Sequence, residues 1–176
     1  MKLIYSRPIL RDLSQGARIA FARQFRLKTQ DNVAEYLQVG GKCRRRTITR
    51  YETGERNPEK NRTHKIANYL NVNYHAIKRY DFKEPLDIIY FLLWLDELMP
   101  NYHFDLTEVK DLDNDTLKII KRFLNELDSM RAKRKKKEIK YIDYIEWKLN
   151  YSLGDNHEWN SQVKNRRYRS IQKSSL

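Results

Sequence analysis

Apolar residues recur at three- and four-residue steps along most of the chain. No sustained run of β-branched residues alternates with polar ones at period two. That spacing predicts amphipathic helices and no sheet, so the expected fold class is all-α. Ser14 is a good N-cap for a first helix, which gathers Ile19, Ala20 and Arg23 on one face with Phe21 and Phe25 beside them. Thr29 caps a second, with Val33, Ala34 and Leu37 as its apolar stripe. Gly40-Gly41 frees the backbone to turn. A third helix is expected from Arg44 to Thr53, with Ile48 and Tyr51 facing inward and Gly54 as the stop. Ile66, Ala67 and Leu70 mark a fourth. Val72, Ala76 and Ile77 lead into a fifth near Asn73.

The second half changes character. Pro85 suits a first helical turn, and the chain from Leu86 to Met99 is apolar almost all round. Ile88, Phe91, Leu92, Leu95, Leu98 and Met99 form one stripe, and Tyr90, Leu93 and Trp94 a second face. A helix apolar on two sides needs cover on two sides. The second face, Tyr90, Leu93 and Trp94, is the expected interface with another subunit or a partner protein. A long helix is expected from Asp115 to about residue 137, lined by Leu117, Ile120, Leu124 and Leu127. A last one runs over 139–151, lined by Ile142, Ile145 and Leu149. From Ser152 onward, Ser, Asn, Arg and Lys dominate, so a loose basic tail is expected.

Charge divides the chain more sharply than composition does. Of 176 residues, 36 are Lys or Arg and 23 Asp or Glu, a net charge of +13, and 40% are hydrophobic. Residues 1–82 carry 18 basic and 7 acidic side chains, net +11, whereas residues 83–130 carry 5 and 11, net −6. The sign changes near Asp81–Glu84, which suggests a domain boundary between 82 and 83. The expected organisation is an arm at 1–13, a basic helical domain at 14–82, a helical association module at 83–151 and the tail at 152–176. A basic chain of this kind meets a polyanion.

The landmarks of the first half form an ordered series. They are Gly16-x-Arg18-Ile19 with Arg23, then Thr29-Gln30-x-x-Val33-Ala34-x-x-Leu37-x-Val39. Next come Thr47-Ile48-Thr49-Arg50-Tyr51-Glu52-x-Gly54-Glu55-Arg56-x-Pro58 and Lys65-Ile66-Ala67-x-x-Leu70-x-Val72. In order and spacing, residues 14–80 resemble the Cro/C1-type (XRE) helix-turn-helix family. The resemblance implies a five-helix domain whose third helix enters the major groove of duplex DNA. One departure is a turn about four residues longer than usual, with Gly40 to Arg46 either lengthening the turn or extending the start of helix 3.

By family position, Arg45, Arg46, Thr47, Thr49 and Arg50 are the candidate base contacts, with Thr47 nearer the groove edge. Arginine can donate two hydrogen bonds to guanine, and threonine offers a hydroxyl and a methyl. Gln30, Lys42, Arg44, Arg56, Lys60 and Arg62 are the candidate phosphate contacts, which position without specifying. Arg23 and Glu52 match a structural ion pair between helices 1 and 3. Lys2, Arg7 and Arg11 of the arm either reach a minor groove or pack on their own domain. The run Arg131 to Lys137 reads equally as a phosphate-binding segment or as an exposed helix end whose cations complement the dipole.

Other chemistries find little support. His64, His75, His103, His157 and Cys43 lack zinc-ligand spacing, so no metal or other cofactor is expected. Asp111, Asp113 and Asp115 read as a turn and helix cap. There is no Gly-rich phosphate loop, no nucleophile elbow and no Ala-Gly cleavage site, so an enzyme is not expected. The longest apolar run, Ile88 to Leu95, is well short of the roughly 18 residues a membrane span needs. The amino-terminal segment has no sustained apolar stretch, so no signal peptide is expected. The single cysteine suits a reducing, cytoplasmic setting. Together these features predict a homodimeric, sequence-specific transcriptional regulator of a bacterial, phage or mobile-element promoter, a repressor in the first instance. The competing expectation is an antitoxin or mobile-element inhibitor that grips a protein through its C-terminal helices and autoregulates through its first domain.

Overall fold

A computed structural model describes residues 7–41, 44–103 and 113–154. These are all-helical, with eight α-helices and no strand among the described residues. The chain divides into two compact units, Met1–Asp111 and Leu112–Leu176.

In the first unit the local signals fix the helices. The Ser14 hydroxyl accepts from Ala17 N at 3.2 Å and starts α1 (Gln15–Phe25). Thr29 opens α2 (Gln30–Tyr36) with a reciprocal capping box. Its hydroxyl accepts from Asn32 N at 3.0 Å while the Asn32 carbonyl accepts from Thr29 N at 2.9 Å. The connecting turn passes through positive φ at Gln38 and Gly41. Then α3 spans Arg44–Thr53, so Arg44, Arg45 and Arg46 form its first turn. Gly54, at φ +77°, ends it. Next come α4 (Lys60–Leu70) and the short α5 (Tyr74–Ile77), the latter capped by the Asn73 side chain. Arg26 closes α4 from outside, donating to Leu70 O at 2.6 Å and Asn71 O at 2.7 Å. A cation there complements the negative end of the helix dipole.

Pro85 starts α6 (Pro85–Leu98), and this helix belongs to the first unit. Trp94 Nε1 donates to Ala76 O at 2.8 Å, and the Trp94 ring meets Phe21 edge-on at 5.2 Å. The packing therefore divides the chain at 111/112, not where the charge changes sign. The reason is that the opposite charges attract across the 82/83 position. Lys78 Nζ donates to Asp87 Oδ2 at 2.8 Å, and Arg7 pairs with Glu97 at 2.9 Å.

The second unit is a helical hairpin of α7 (Asn114–Lys135) and α8 (Tyr141–Leu149). Asp113 caps α7, accepting from Asp115 N and Thr116 N at 3.0 and 2.9 Å. Its hydrogen bonds from Thr116 hold the carboxyl below its ordinary value. Ile120, Phe123, Leu127 and Met130 pack the inner face of α7, with Tyr144, Ile145, Trp147, Leu149 and Tyr151 also buried. Glu126 accepts from Trp147 Nε1 and Tyr151 OH, at 3.2 and 3.3 Å. Burial, then the Glu126 charge, pushes the Tyr151 phenol up. Most of the expected basic tail, 155–176, lies outside the described residues.

Candidate nucleic-acid interface

The third helix has two faces with different jobs. Ile48, Tyr51 and Glu52 point inward and are buried. Arg44, Arg45 and Arg46 are exposed, and Thr47, Thr49 and Arg50 are half-buried on the outer side. α1 reaches the inner face because Gly16 has no side chain. A Cβ there would collide with the Tyr51 carbonyl oxygen and lie 2.7 Å from that of Glu52.

A polar network locks the inner face. The Glu52 carboxylate accepts from Arg23 Nε at 2.5 Å, Arg23 Nη2 at 3.0 Å and Gln30 Nε2 at 2.8 Å. Side-chain exposure is 12% for Arg23 and 6% for Glu52, so this pair sits out of solvent. Arg23 Nη1 also donates to Lys28 O at 2.7 Å, and Arg11 donates to Glu52 O at 2.7 Å. Gln30 is the link to the outer face. Its Oε1 accepts from Arg45 Nε and Thr49 Oγ1, both at 3.1 Å. The amino end of α2, the buried ion pair and the outer-face residues Arg45 and Thr49 of α3 thus form one hydrogen-bonded unit.

The first turn of α3 holds three arginines and no acidic residue. Cations at a helix N-terminus oppose the dipole, each at a cost of up to about 1 kcal/mol. An anion placed there would be drawn both by the guanidinium groups and by the free N–H ends.

Comparison with protein-family models, with curated proteins and with solved structures gives no match.

The candidate DNA contacts other than half-buried Thr47 fall into three groups. Arg44, Arg46, Arg56 and Lys60 are exposed, and their side chains have no protein partner among the described residues. Arg45, Thr49, Gln30, Arg50 and Arg62 have partners. Arg50 Nε lies 3.0 Å from Glu55 Oε1, and Arg62 donates to Tyr51 OH at 2.9 Å. Gln30, expected on a phosphate, is instead held within the network described above. Lys42 and Lys2 lie outside the described residues. Within the described part of the arm, 7–13, Pro8 and Leu10 are buried and Arg7 and Arg11 are paired as given above, while Ile9 is exposed.

The expected partner interface is differently placed. Tyr90, Leu93 and Trp94 are 0, 1 and 5% exposed within this chain. The other stripe is the more open one, with Leu98 and Met99 exposed, Ile88, Phe91 and Leu95 half-buried and Leu92 buried. The second face of α6 is covered by the chain's own α1 and α5, where Phe21 and Ala76 meet Trp94.

Sequence reading missed a second polar cluster. Asp87, wholly buried, accepts from Lys78 Nζ and from Asp81 N, the latter at 3.2 Å, and faces His75 Nδ1 at 3.2 Å. Burial pushes the Asp87 carboxyl up, but these bonds outweigh it and hold it below its ordinary value. Beside it, buried Arg18 donates to Ala76 O and Lys78 O, at 3.2 and 2.8 Å, and lies 3.9 Å over the Tyr80 ring. The signal was present as Asp87, a carboxylate in the first turn of a mostly apolar helix whose other acids, Asp96 and Glu97, lie at its far end. Ligand atoms of His75, Glu84 and Asp87 lie within 4.8 Å of one another. However, His75 meets the two carboxylates through opposite ring nitrogens, and the Lys78 ammonium sits on Asp87. That geometry serves an ion network joining α5 to α6 better than a cation site.

Proposed function

We propose that this protein is a duplex-DNA-binding regulator of the Cro/C1 (XRE) type, a repressor in the first instance, with α3 as its reading helix. The observation that supports this most is the two-faced α3. Its outer face carries Arg44, Arg45, Arg46, Thr49 and Arg50, and its inner face is locked by Arg23, Glu52 and Gln30. A reading helix needs this division, because side chains discriminate bases only when their backbone is rigidly held. Arg46 and Arg50 are assigned to base edges, and Arg44, Arg56 and Lys60 to phosphates. The Gln30 contact with Arg45 and Thr49 orients both residues towards the same groove. A homodimer on symmetric half-sites is the accompanying expectation.

The test compares variants on duplexes of different sequence. Arg46→Ala or Arg50→Ala should cost about 1–3 kcal/mol on the preferred duplex and relax selection at one base pair. Arg56→Ala and Lys60→Ala should weaken all duplexes alike. Equal losses on every sequence from Arg46→Ala and Arg50→Ala would remove the base-reading assignment.

A further inference from the structure

The second unit carries its own concentration of positive charge. Lys133, Lys135, Lys136, Lys137 and Lys140 are exposed around the end of α7 and the turn into α8, with Glu138 the lone acid between residues 131 and 142. The side chains of Lys133, Lys135, Lys136 and Lys137 have no partner among the described residues. We propose that this turn grips the phosphate backbone of duplex DNA without reading its sequence, as a contact surface additional to α3. The proposal rests on the reading of duplex DNA as the partner and gives the second unit a part in it.

Helix-dipole complementation accounts for only part of the cluster. Its effect fades within the last helical turn. The closing carbonyls of α7 are already satisfied by backbone, since Lys137 N donates to Arg134 O at 3.0 Å and Glu138 N to Lys133 O at 2.9 Å. The charge continues to Lys140, the residue before α8, where a cation opposes the dipole. Lys137 also sits at φ +62°, a left-handed position that glycine occupies most easily. Charge is kept there against backbone preference.

The surroundings favour duplex backbone over other polyanions. Single-stranded nucleic acid would need open aromatic faces for stacking. Here the Arg134 guanidinium lies over Tyr141 and Tyr144, at 4.7 and 5.5 Å, and Lys148 lies 4.5 Å from the Tyr144 ring centre. A membrane surface would call for apolar side chains beside the cations. No large apolar residue is exposed between 131 and 150. Lysines are point charges that suit phosphate without bidentate base recognition.

The full chain with Lys133, Lys135, Lys136 and Lys137 changed to Gln is the test, with circular dichroism to show that helix content is kept. Its binding to a mixed-sequence duplex of about 30 base pairs is followed by anisotropy across salt, with a slope of about −0.9 expected per phosphate contact. If all four lysines engage, the slope becomes shallower by about 3–4. Between about 50 and 200 mM salt the wild type then loses about 100-fold more affinity than the variant. Sequence preference in a random duplex pool stays unchanged. An unchanged slope overturns the proposal, as does a loss confined to vesicles containing phosphatidylserine. Arg46→Ala and Arg50→Ala in the same pool separate the two claims. If they leave selection untouched while the lysine variant flattens the slope, the base-reading assignment fails and the backbone grip stands.

Discussion

Changing Glu52 to Gln tests the frame that holds α3. Glu52 and Arg23 are nearly excluded from solvent, and the carboxylate accepts from two Arg23 nitrogens and from Gln30. A glutamine keeps one acceptor oxygen but turns an NH2 group towards these donors. Each lost charge-assisted bond is worth about 1.5–3 kcal/mol, and breaking a buried pair costs about 3–5 kcal/mol. Replacing both partners with Met leaves no uncompensated charge, so the double variant should recover much of the loss. A coupling of about 2–3 kcal/mol is expected in the cycle closed by the single variants Arg23→Met and Glu52→Met. The assay is urea unfolding followed by Trp94, which sits between Phe21 and Ala76, in a chain with Trp147 and Trp159 changed to Phe. With a urea slope of about 1.5 kcal/mol/M, Glu52→Gln should lower the midpoint by about 2–3 M. A cost below about 1 kcal/mol, or strictly additive single variants, would refute the reasoning.

Three further outcomes follow from the same geometry. Gly16→Ala should destabilise the first unit by about 1–3 kcal/mol in the same assay, since its methyl meets rigid α3 backbone. Leu27, exposed at φ +54° after α1, carries left-handed strain, so Leu27→Gly should stabilise the first unit by about 1 kcal/mol in the same assay. The Asp87 carboxyl is held below its ordinary value, so its stabilisation is present above about pH 4 and is lost as pH falls through its folded value. The stability gap between wild type and Asp87→Asn should therefore narrow on acidification below about pH 4.

Much of the helical pattern was legible because its signals are local. Ser14 and Thr29 cap the helices the spacing assigns to them, α5 starts beside Asn73, and Pro85 opens α6. The span of α3 and its inward Ile48 and Tyr51 agree with the spacing. The Arg23–Glu52 pair was legible from the resemblance, and the geometry contains it. What failed to show was long-range. A helix apolar on two sides announces two partners but not whose they are, and α6 has its Tyr90, Leu93 and Trp94 face covered by the chain's own α1 and α5. The charge reversal suggests a boundary, whereas Lys78 and Asp87 use it as an attraction. Gln30 has the composition of a phosphate contact. Only its neighbours Arg45, Thr49 and Glu52 reveal a bridging role.

The most direct test of DNA reading is selection of genomic fragments by the full chain at physiological salt, followed by sequencing. The account predicts a shared inverted repeat whose half-sites lie about one helical turn apart, with the preference at one base pair lost in Arg46→Ala or Arg50→Ala. Fragments without a common sequence, recovered equally by wild type and both variants, would contradict it.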